Sequence, residues 1–563
     1  MPFSLKLGSP DKIHNLTSTL VVIAGVMLLT VAFVYLQLIG KGYFVYLWFL
    51  ALILILFLTK SYLSKHWILV RVLLMSGLIM VCLMFGIVSR WSDPFHVIVM
   101  FLVLILPIFI MKPKIMAYIF LLILFSIPYS TYGITKTTLP MPIFKLYYGI
   151  YTRGAGLLPL SVINLFLILI AFSIILREIA KPYESTSKEH CNLYKYFWIF
   201  NAYFFLHVLW SVVNGGSVRE NLVAIYGVTN IINLSIFVFI MLRIFRTEDD
   251  VKKLTNFFLG MVLFKNIWYI FRFFFLGGDI NNPYVNHGTN MSEFRISVFD
   301  IGDGIIEGMT VFYVLRILLD SKMAAEIDGK RKMFYIAIAL TDIFNMIFSY
   351  RRTVWFGLLL MFCLLFVQLP AIKRIAIGLL LIIMAGVMGL VAANRFQERD
   401  TGIVSDITKS GKVSTEGRRF EELSAAWWTM KQNFWFGVGP SGSHQIQSNI
   451  SITKENKDFL KTVHSSVLYI GFKLGVVGLT IYLLFYAAYL NFWSKVRREI
   501  WASRSLSLLG ETGFAGFIFI IPSILFSPMI NEFRTMLLLG FCLVLPYIAY
   551  NVQKNIRLTL LES

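Results

Sequence analysis

The chain has 563 residues, 58% of them hydrophobic, with a mean hydropathy of +0.75 and a formal net charge of +21. A soluble domain is about 45–50% apolar, so the composition excludes an ordinary soluble enzyme. The four cysteines (Cys82, Cys191, Cys363 and Cys542) are too scattered for a disulfide framework or a cysteine metal site. The basic excess reads as Lys and Arg of short cytoplasmic loops fixing membrane topology, not as a nucleic-acid surface, and no nucleic-acid partner is expected.

Apolar stretches of about 20 residues recur along the chain, long enough to cross about 30 Å of hydrocarbon. They lack the alternation of barrel strands, and a helix satisfies its own backbone in lipid. The expected fold is an all-α polytopic membrane protein with about 14–16 transmembrane helices in the bilayer. The first predicted helices are 17–39, 43–59, 68–88, 95–111 and 115–131. The run from Leu16 to Ile39 is too long for a signal-peptide core and reads as a retained first helix. Residues 1–156 form an N-terminal set of helices with no assigned role. Segment 128–156, rich in Pro and Tyr, reads as an interfacial belt, with substrate lining as the alternative.

Middle helices follow at 157–176, 194–213, 222–242 and 254–276, within a region 157–293. Region 294–490 carries helices 304–319, 333–349, 353–368, 373–393 and 464–490. The pair 333–349 and 353–368 reads as a tight hairpin or as one broken helix. Region 491–563 closes the chain with helices 513–527 and 534–550. With the N-terminus inside, the loops and tails facing the cytoplasm hold most of the Lys and Arg, which predicts N-in, C-in topology. One long polar segment, 394–463, then lies outside, and long loops of this kind often carry function.

Three stretches could carry chemistry. Ser349-Tyr350-Arg351-Arg352-Thr353 puts two guanidiniums at an outer helix end, where the orientation rule disfavours positive charge. Snorkelling to the interface is the structural alternative. Arg418-Arg419 precedes an amphipathic pattern, Phe420–Gln432, whose apolar members are Leu423, Trp427, Trp428 and Met430; it predicts a helix on the membrane surface. The turn Phe436-Gly437-Val438-Gly439-Pro440 ends it. His464 opens the next helix, and imidazole accepts protons near neutral pH. Gly471, Gly475 and Gly478 follow it at a spacing that favours close helix packing. Asp300, Asp303 and Glu307 offer a rival cation site, but their position favours a helix-start role for the two aspartates. Lys265, Arg272 and Lys473 lie within apolar helices, and internal ion pairing is the default expectation for Lys473.

In this order and spacing the stretches resemble the bacterial O-antigen ligase and O-antigen polymerase superfamily. Arg352 and Arg419 are 67 residues apart, and Arg419 and His464 are 45 apart. His464-Ser465-Ser466-Val467-Leu468 followed by Leu474-Gly475-Val476-Val477-Gly478-Leu479 is the most specific piece. Arg295-Ile296-Ser297-Val298-Phe299-Asp300 is a fainter match. The resemblance covers roughly Phe294 to Leu484. Tyr350 and Leu423 depart from it, standing where the family often has Ser and Trp.

The resemblance implies a GT-C-like, inverting, metal-independent glycosyltransferase without a cofactor. Its donor would be a polyprenyl diphosphate-linked glycan, and its acceptor hydroxyl would belong to a glycan or to lipid A-core. His464, Arg352 and Arg419 would be catalytic, with Arg351, Arg418 and Arg295 as weaker diphosphate ligands. The expected setting is surface polysaccharide (O-antigen-like, lipopolysaccharide) assembly at the bacterial inner membrane. The site would face the periplasm, and a chain-length regulator protein is a candidate partner. Two other classes compete: a transporter or flippase of lipid-linked glycans, and a peptidoglycan-polymerase-like enzyme. The transporter would favour broken helices and polar groups at mid-membrane, and the polymerase-like enzyme an essential outer carboxylate.

Overall fold

The computed structural model describes residues 112–127, 161–180, 190–213, 229–275, 300–349, 351–398, 415–444, 462–500, 503–527 and 529–562. Fourteen α-helices lie among the described residues, with no β-strand. They are α1 (Pro113–Ser126), α2 (Val162–Ala180), α3 (Leu193–Val213), α4 (Thr229–Ile244), α5 (Glu248–Phe275), α6 (Ile301–Leu319) and α7 (Ser321–Glu326). Then come α8 (Gly329–Phe348), α9 (Arg352–Gln368), α10 (Ala371–Glu398), α11 (Thr415–Gln432), α12 (Ser466–Ile500), α13 (Arg504–Phe526) and α14 (Phe533–Glu562). Six of them, α3, α5, α10, α12, α13 and α14, are long and apolar enough to cross a bilayer. The chain is therefore an all-α, multi-pass membrane protein. The first four predicted helices, Arg295 and segment 128–156 lie outside the described residues.

The chain divides into two units, Met1–Phe120 with Met141–Thr186, and Leu121–Pro140 with Ser187–Ser563. In the first, Phe120 and Phe166 meet edge to face at 5.7 Å. In the second, α13 and α14 pack on each other and are buried along most of their length. Around them, α9 and α6 lie on α13, and α4 on α14. Gly357 of α9 permits the closest of these approaches: a Cβ there would collide with the Phe519 carbonyl of α13. By contrast α10 buries little and presents Ile372, Ile375, Leu379, Ile382 and Leu390 outward, as a lipid-facing helix should.

The segments predicted as 333–349 and 353–368 are two separate helices. α8 packs on α6 and α5, while α9 packs on α13 and α6. Trp355 holds the corner between them, its indole N–H lying 3.1 Å from the Met346 and Ile347 carbonyls. Those are carbonyls that the end of a helix leaves without intrahelical donors.

Ion pairs mark both ends of the second unit. At one end Arg316 bonds Glu511 (2.8 Å), Arg504 bonds Glu326 (2.7 Å), and Lys373 caps the Leu319 carbonyl of α6. At the other end lie the starts of α6, α9, α12 and α14 and the end of α13, and this end holds the candidate site.

Candidate functional site

The site end is built on buried charge. Asp300 caps α6: its carboxylate accepts from the Asp303 N–H (2.8 Å), and Asp303 accepts from the Asp300 N–H (2.9 Å). This reciprocal capping box satisfies donors that a helix start otherwise leaves open. Arg534, fully buried at the start of α14, reaches both aspartates, Asp300 at 2.6 Å and Asp303 at 2.7 Å. It also donates to the Leu124 and Phe125 carbonyls. Lys265 of α5 pairs with Asp303, and the Tyr269 hydroxyl donates to it (2.5 Å). A lone charge at such depth is costly, and here each has a counter-charge. Asp300 and Asp303 thus serve a helix start, as their position predicts, with their oxygens taken by Arg534, Lys265, Tyr269 and backbone.

Below them lies a second polar set. Asn345 donates to Asn266 (3.0 Å) and Glu307 (3.3 Å), and Asn266 donates to Asp342 (2.7 Å). Pattern reading does not single out Asp342 or Asn345, because α8 is apolar around them.

Arg351 is the N-cap residue of α9, and its N–H donates to the Ser349 hydroxyl at 3.3 Å. Arg352 is the first residue of α9. The positive field of Arg351 reaches Glu532, the residue before α14. Burial pushes the Glu532 carboxyl up to about 7, and the Asp300 charge adds to this; the Thr535 hydroxyl, Arg351 and Arg534 pull against it. The segment before Glu532 also holds the head of α12. The Ser466 hydroxyl donates to the Ser527 carbonyl and accepts from the Ile530 N–H, both at 3.2 Å. So α9, α12 and α14 start around one stretch of chain, Ser527 to Glu532.

α11 adds the fourth wall. It lies against α12, burying Glu422, Ala425, Ala426, Thr429 and Met430, with Met430 against Gly471. Of the predicted apolar members Leu423, Trp427, Trp428 and Met430, only Met430 is fully buried in this contact, which is made largely by small residues. Trp427 is exposed, and Phe434, Trp435 and Phe436 beyond the helix are exposed with it. Alanines permit close approach to α12, and the indoles suit a membrane interface. Arg418 and Arg419 fall in the first turns of α11.

The face of α11 that meets α12 carries the main finding. Glu422, with no exposed side-chain surface, accepts from the His464 backbone N–H and pairs with the His464 ring at Nδ1, both at 2.8 Å. The imidazole is 30% exposed, and among the described residues no group hydrogen-bonds its Nε2. Glu422 sits in a helix that reads as a surface element, so its partner 42 residues away leaves no trace in local spacing.

Below His464 the helix is interrupted. Gly475 has φ 66°, a left-handed conformation inside α12. The turn after α11 fills the break. Val438 N–H donates to the Phe472 carbonyl (2.9 Å), Gly439 N–H to Lys473 (2.8 Å), and Val476 N–H to the Phe434 carbonyl (2.7 Å). Val477 N–H reaches the Trp435 carbonyl (3.4 Å), and the Tyr203 hydroxyl of α3 caps Leu474 (2.9 Å). Irregular backbone inside a membrane protein survives where protein partners supply its hydrogen bonds. The predicted packing role of Gly475 is therefore corrected: the residue breaks the helix, and its missing Cβ makes room for the Trp435 carbonyl. Lys473 caps the Gly442 carbonyl and lies over the Tyr469 and Phe472 rings. Buried His444 contacts the Thr462 carbonyl (3.2 Å) and clips together the two flanks of the segment 445–461.

The fold defines a multi-pass helical membrane protein with a cluster of polar and charged side chains at one end of its bundle, His464 among them. Residues 337–483, from α8 through the first half of α12, match the family model described as O-antigen ligase. The match spans about a quarter of the chain and marks this segment as similar to that family. The matched range ends where the sequence resemblance ends and begins later, inside α8. A comparison with curated proteins finds no match.

Proposed function

We propose that the protein transfers a glycan from a polyprenyl diphosphate to an acceptor hydroxyl on the outer face of the bacterial inner membrane, in surface polysaccharide assembly. The observation that carries this reading is His464, held just before α12 with no hydrogen bond to Nε2 among the described residues, inside the segment that matches the O-antigen ligase family model. In the proposed reaction Nε2 takes the acceptor proton, the oxygen attacks the anomeric carbon with inversion, and the carbon–oxygen bond to the diphosphate breaks. Arg352 and Arg419 receive the charge that grows on the departing diphosphate. Guanidinium stays protonated and grips phosphate oxygens in a fork, and such preorganised donors are worth most where charge develops.

Arg351, Arg418 and Arg295 are secondary diphosphate ligands in this proposal. Arginine does the work a metal would otherwise do, and the acidic pair Asp300 and Asp303 is engaged by Arg534 and Lys265, which supports a metal-independent reaction. Basic residues gather at the opposite end of the bundle, among them Arg316, Lys322, Lys373, Arg374, Arg497 and Arg504, which supports placing that end in the cytoplasm.

Polymerase and ligase share the donor and these residues and differ in acceptor. Deleting the gene and running surface polysaccharide on a gel separates them. Loss of long chains with one-repeat material retained marks a polymerase; lipid-linked polymer accumulating with none attached marks a ligase. Complementation with His464→Ala, Arg352→Ala or Arg419→Ala is expected to fail. General-base loss alone is worth about 10²–10⁴ in rate. A silent His464→Ala overturns the reading.

A further inference from the structure

We infer that Glu422 is the positioning residue of this site: it fixes the tautomer of His464, so that Nε2 is a base and not a donor. The inference rests on the proposed role of His464 and adds a residue to it.

The argument begins with what each oxygen of Glu422 faces. Oε1 lies 2.8 Å from the His464 backbone N–H, a donor that cannot change. Oε2 lies 2.8 Å from Nδ1 of the same residue. An ionised carboxylate only accepts, so the nitrogen it faces must carry the hydrogen. A neutral imidazole has one N–H, and with that hydrogen on Nδ1 the lone pair is on Nε2. Among the described residues Nε2 has no hydrogen-bond partner, on a side chain that is 30% exposed. When the acceptor hydroxyl attacks, its proton moves to Nε2, its oxygen bonds the anomeric carbon, and the electron pair of the broken bond leaves with the diphosphate. The ring becomes an imidazolium, and the buried carboxylate opposite Nδ1 is already in place to stabilise it.

Bonding both the main chain and the ring of one residue fixes the ring's rotation as well as its protonation. Glu422 stands one turn after Arg419 on α11, and positions three apart lie on adjoining parts of one helix face. A single carboxylate therefore ties the helix bearing a diphosphate ligand to the residue that takes the proton.

Glu422→Gln tests this with nearly unchanged shape. Glutamine keeps one acceptor oxygen, which the fixed backbone N–H claims. Its NH₂ then faces Nδ1, which must become an acceptor, and the ring hydrogen moves to Nε2. In full-length protein labelled with ¹⁵N-histidine and reconstituted in liposomes, solid-state NMR reads the tautomer directly. The His464→Asn variant assigns the signal among the eight histidines. The expected result is Nδ1–H for the neutral ring in the wild type and Nε2–H in Glu422→Gln. The same tautomer in both proteins overturns the inference, whatever the reaction is.

Kinetics give the second arm. A wrong tautomer in a comparable histidine–carboxylate pair lowers kcat by about 10⁴ with geometry intact. Glu422→Gln should therefore lose at least about 10² in kcat with KM within a few-fold, and Glu422→Asp should retain more activity than Glu422→Gln. If His464→Ala is inactive while Glu422→Gln turns over normally, the inference fails and the proposed function stands. If His464→Ala itself is active, the proposed function fails, and the tautomer measurement still decides the placement of the hydrogen.

Discussion

A carboxyl group can be more informative for being hard to ionise. Glu532 is half-buried near Asp300, with the Thr535 hydroxyl bonded to it at 2.5 Å, and desolvation pushes its titration up to about 7 from an ordinary 4.5. A pKa raised on folding favours the protonated native state. Its contribution to stability is complete below pH 4.5 and is lost as pH climbs through about 7. At about 1.4 kcal/mol per unit, that amounts to about 3 kcal/mol. Glu532→Gln keeps the neutral form at every pH. Its thermal midpoint relative to wild type should therefore rise between pH 5 and pH 8. A difference that does not change over that range removes Glu532 as the titrating group. His464 and Arg352 are identifiable from residue type and spacing. Glu422 and Glu532 are not, because each matters through partners brought together by folding: one from another helix, the other from the ends of α6, α9 and α14.

Among elements, α12 departs most from what its sequence suggests. Some predicted boundaries agree with the structure to within a few residues, as at 353–368 against Arg352–Gln368 and 304–319 against Ile301–Leu319; others fall well short, as at 464–490 against Ser466–Ile500, 513–527 against Arg504–Phe526 and 534–550 against Phe533–Glu562. Length and hydropathy decide where a helix exists in lipid, and both are local properties. A break is not local: Gly475 can turn left-handed inside α12 because Phe434 to Gly439 stand ready with donors and acceptors. Gly475→Ala would add a Cβ against the Trp435 carbonyl, in a backbone region costly for alanine. The expected effect is destabilisation of about 1–3 kcal/mol, read as a lower thermal midpoint in detergent, with proteolysis newly accessible between α11 and α12. Gly478→Ala, next to Leu474 and the Tyr203 ring, tests crowding without a left-handed backbone and should leave that proteolysis unchanged.

For the whole molecule, one arginine joins distant parts of the second unit. Arg534 spans the last residues of α1, the capping box of α6 and the head of α14. The sequence places Arg534 at the very start of the predicted helix 534–550, where local pattern gives no sign of partners. Folding makes it fully buried, because two carboxylates and two carbonyls replace its water. Arg534→Met would leave Asp300 without that partner and Asp303 with Lys265, Tyr269 and the Asp300 backbone N–H. Removing one side of a buried pair typically costs about 3–5 kcal/mol, so the variant should unfold at a lower temperature than wild type in the same detergent. Equal midpoints would mean that the arginine is not what ties these helices together.

The break at Gly475 also bears on how force travels through the protein. A continuous rod passes bending and tilt from one leaflet to the other. α12 does not, because nine residues below its head its own ladder stops and a neighbouring turn takes over. The imidazole is thereby referenced to the turn after α11 at its own end of the molecule, and its position is decoupled from what the far half of the bundle does as lipids thicken, thin or crowd against it.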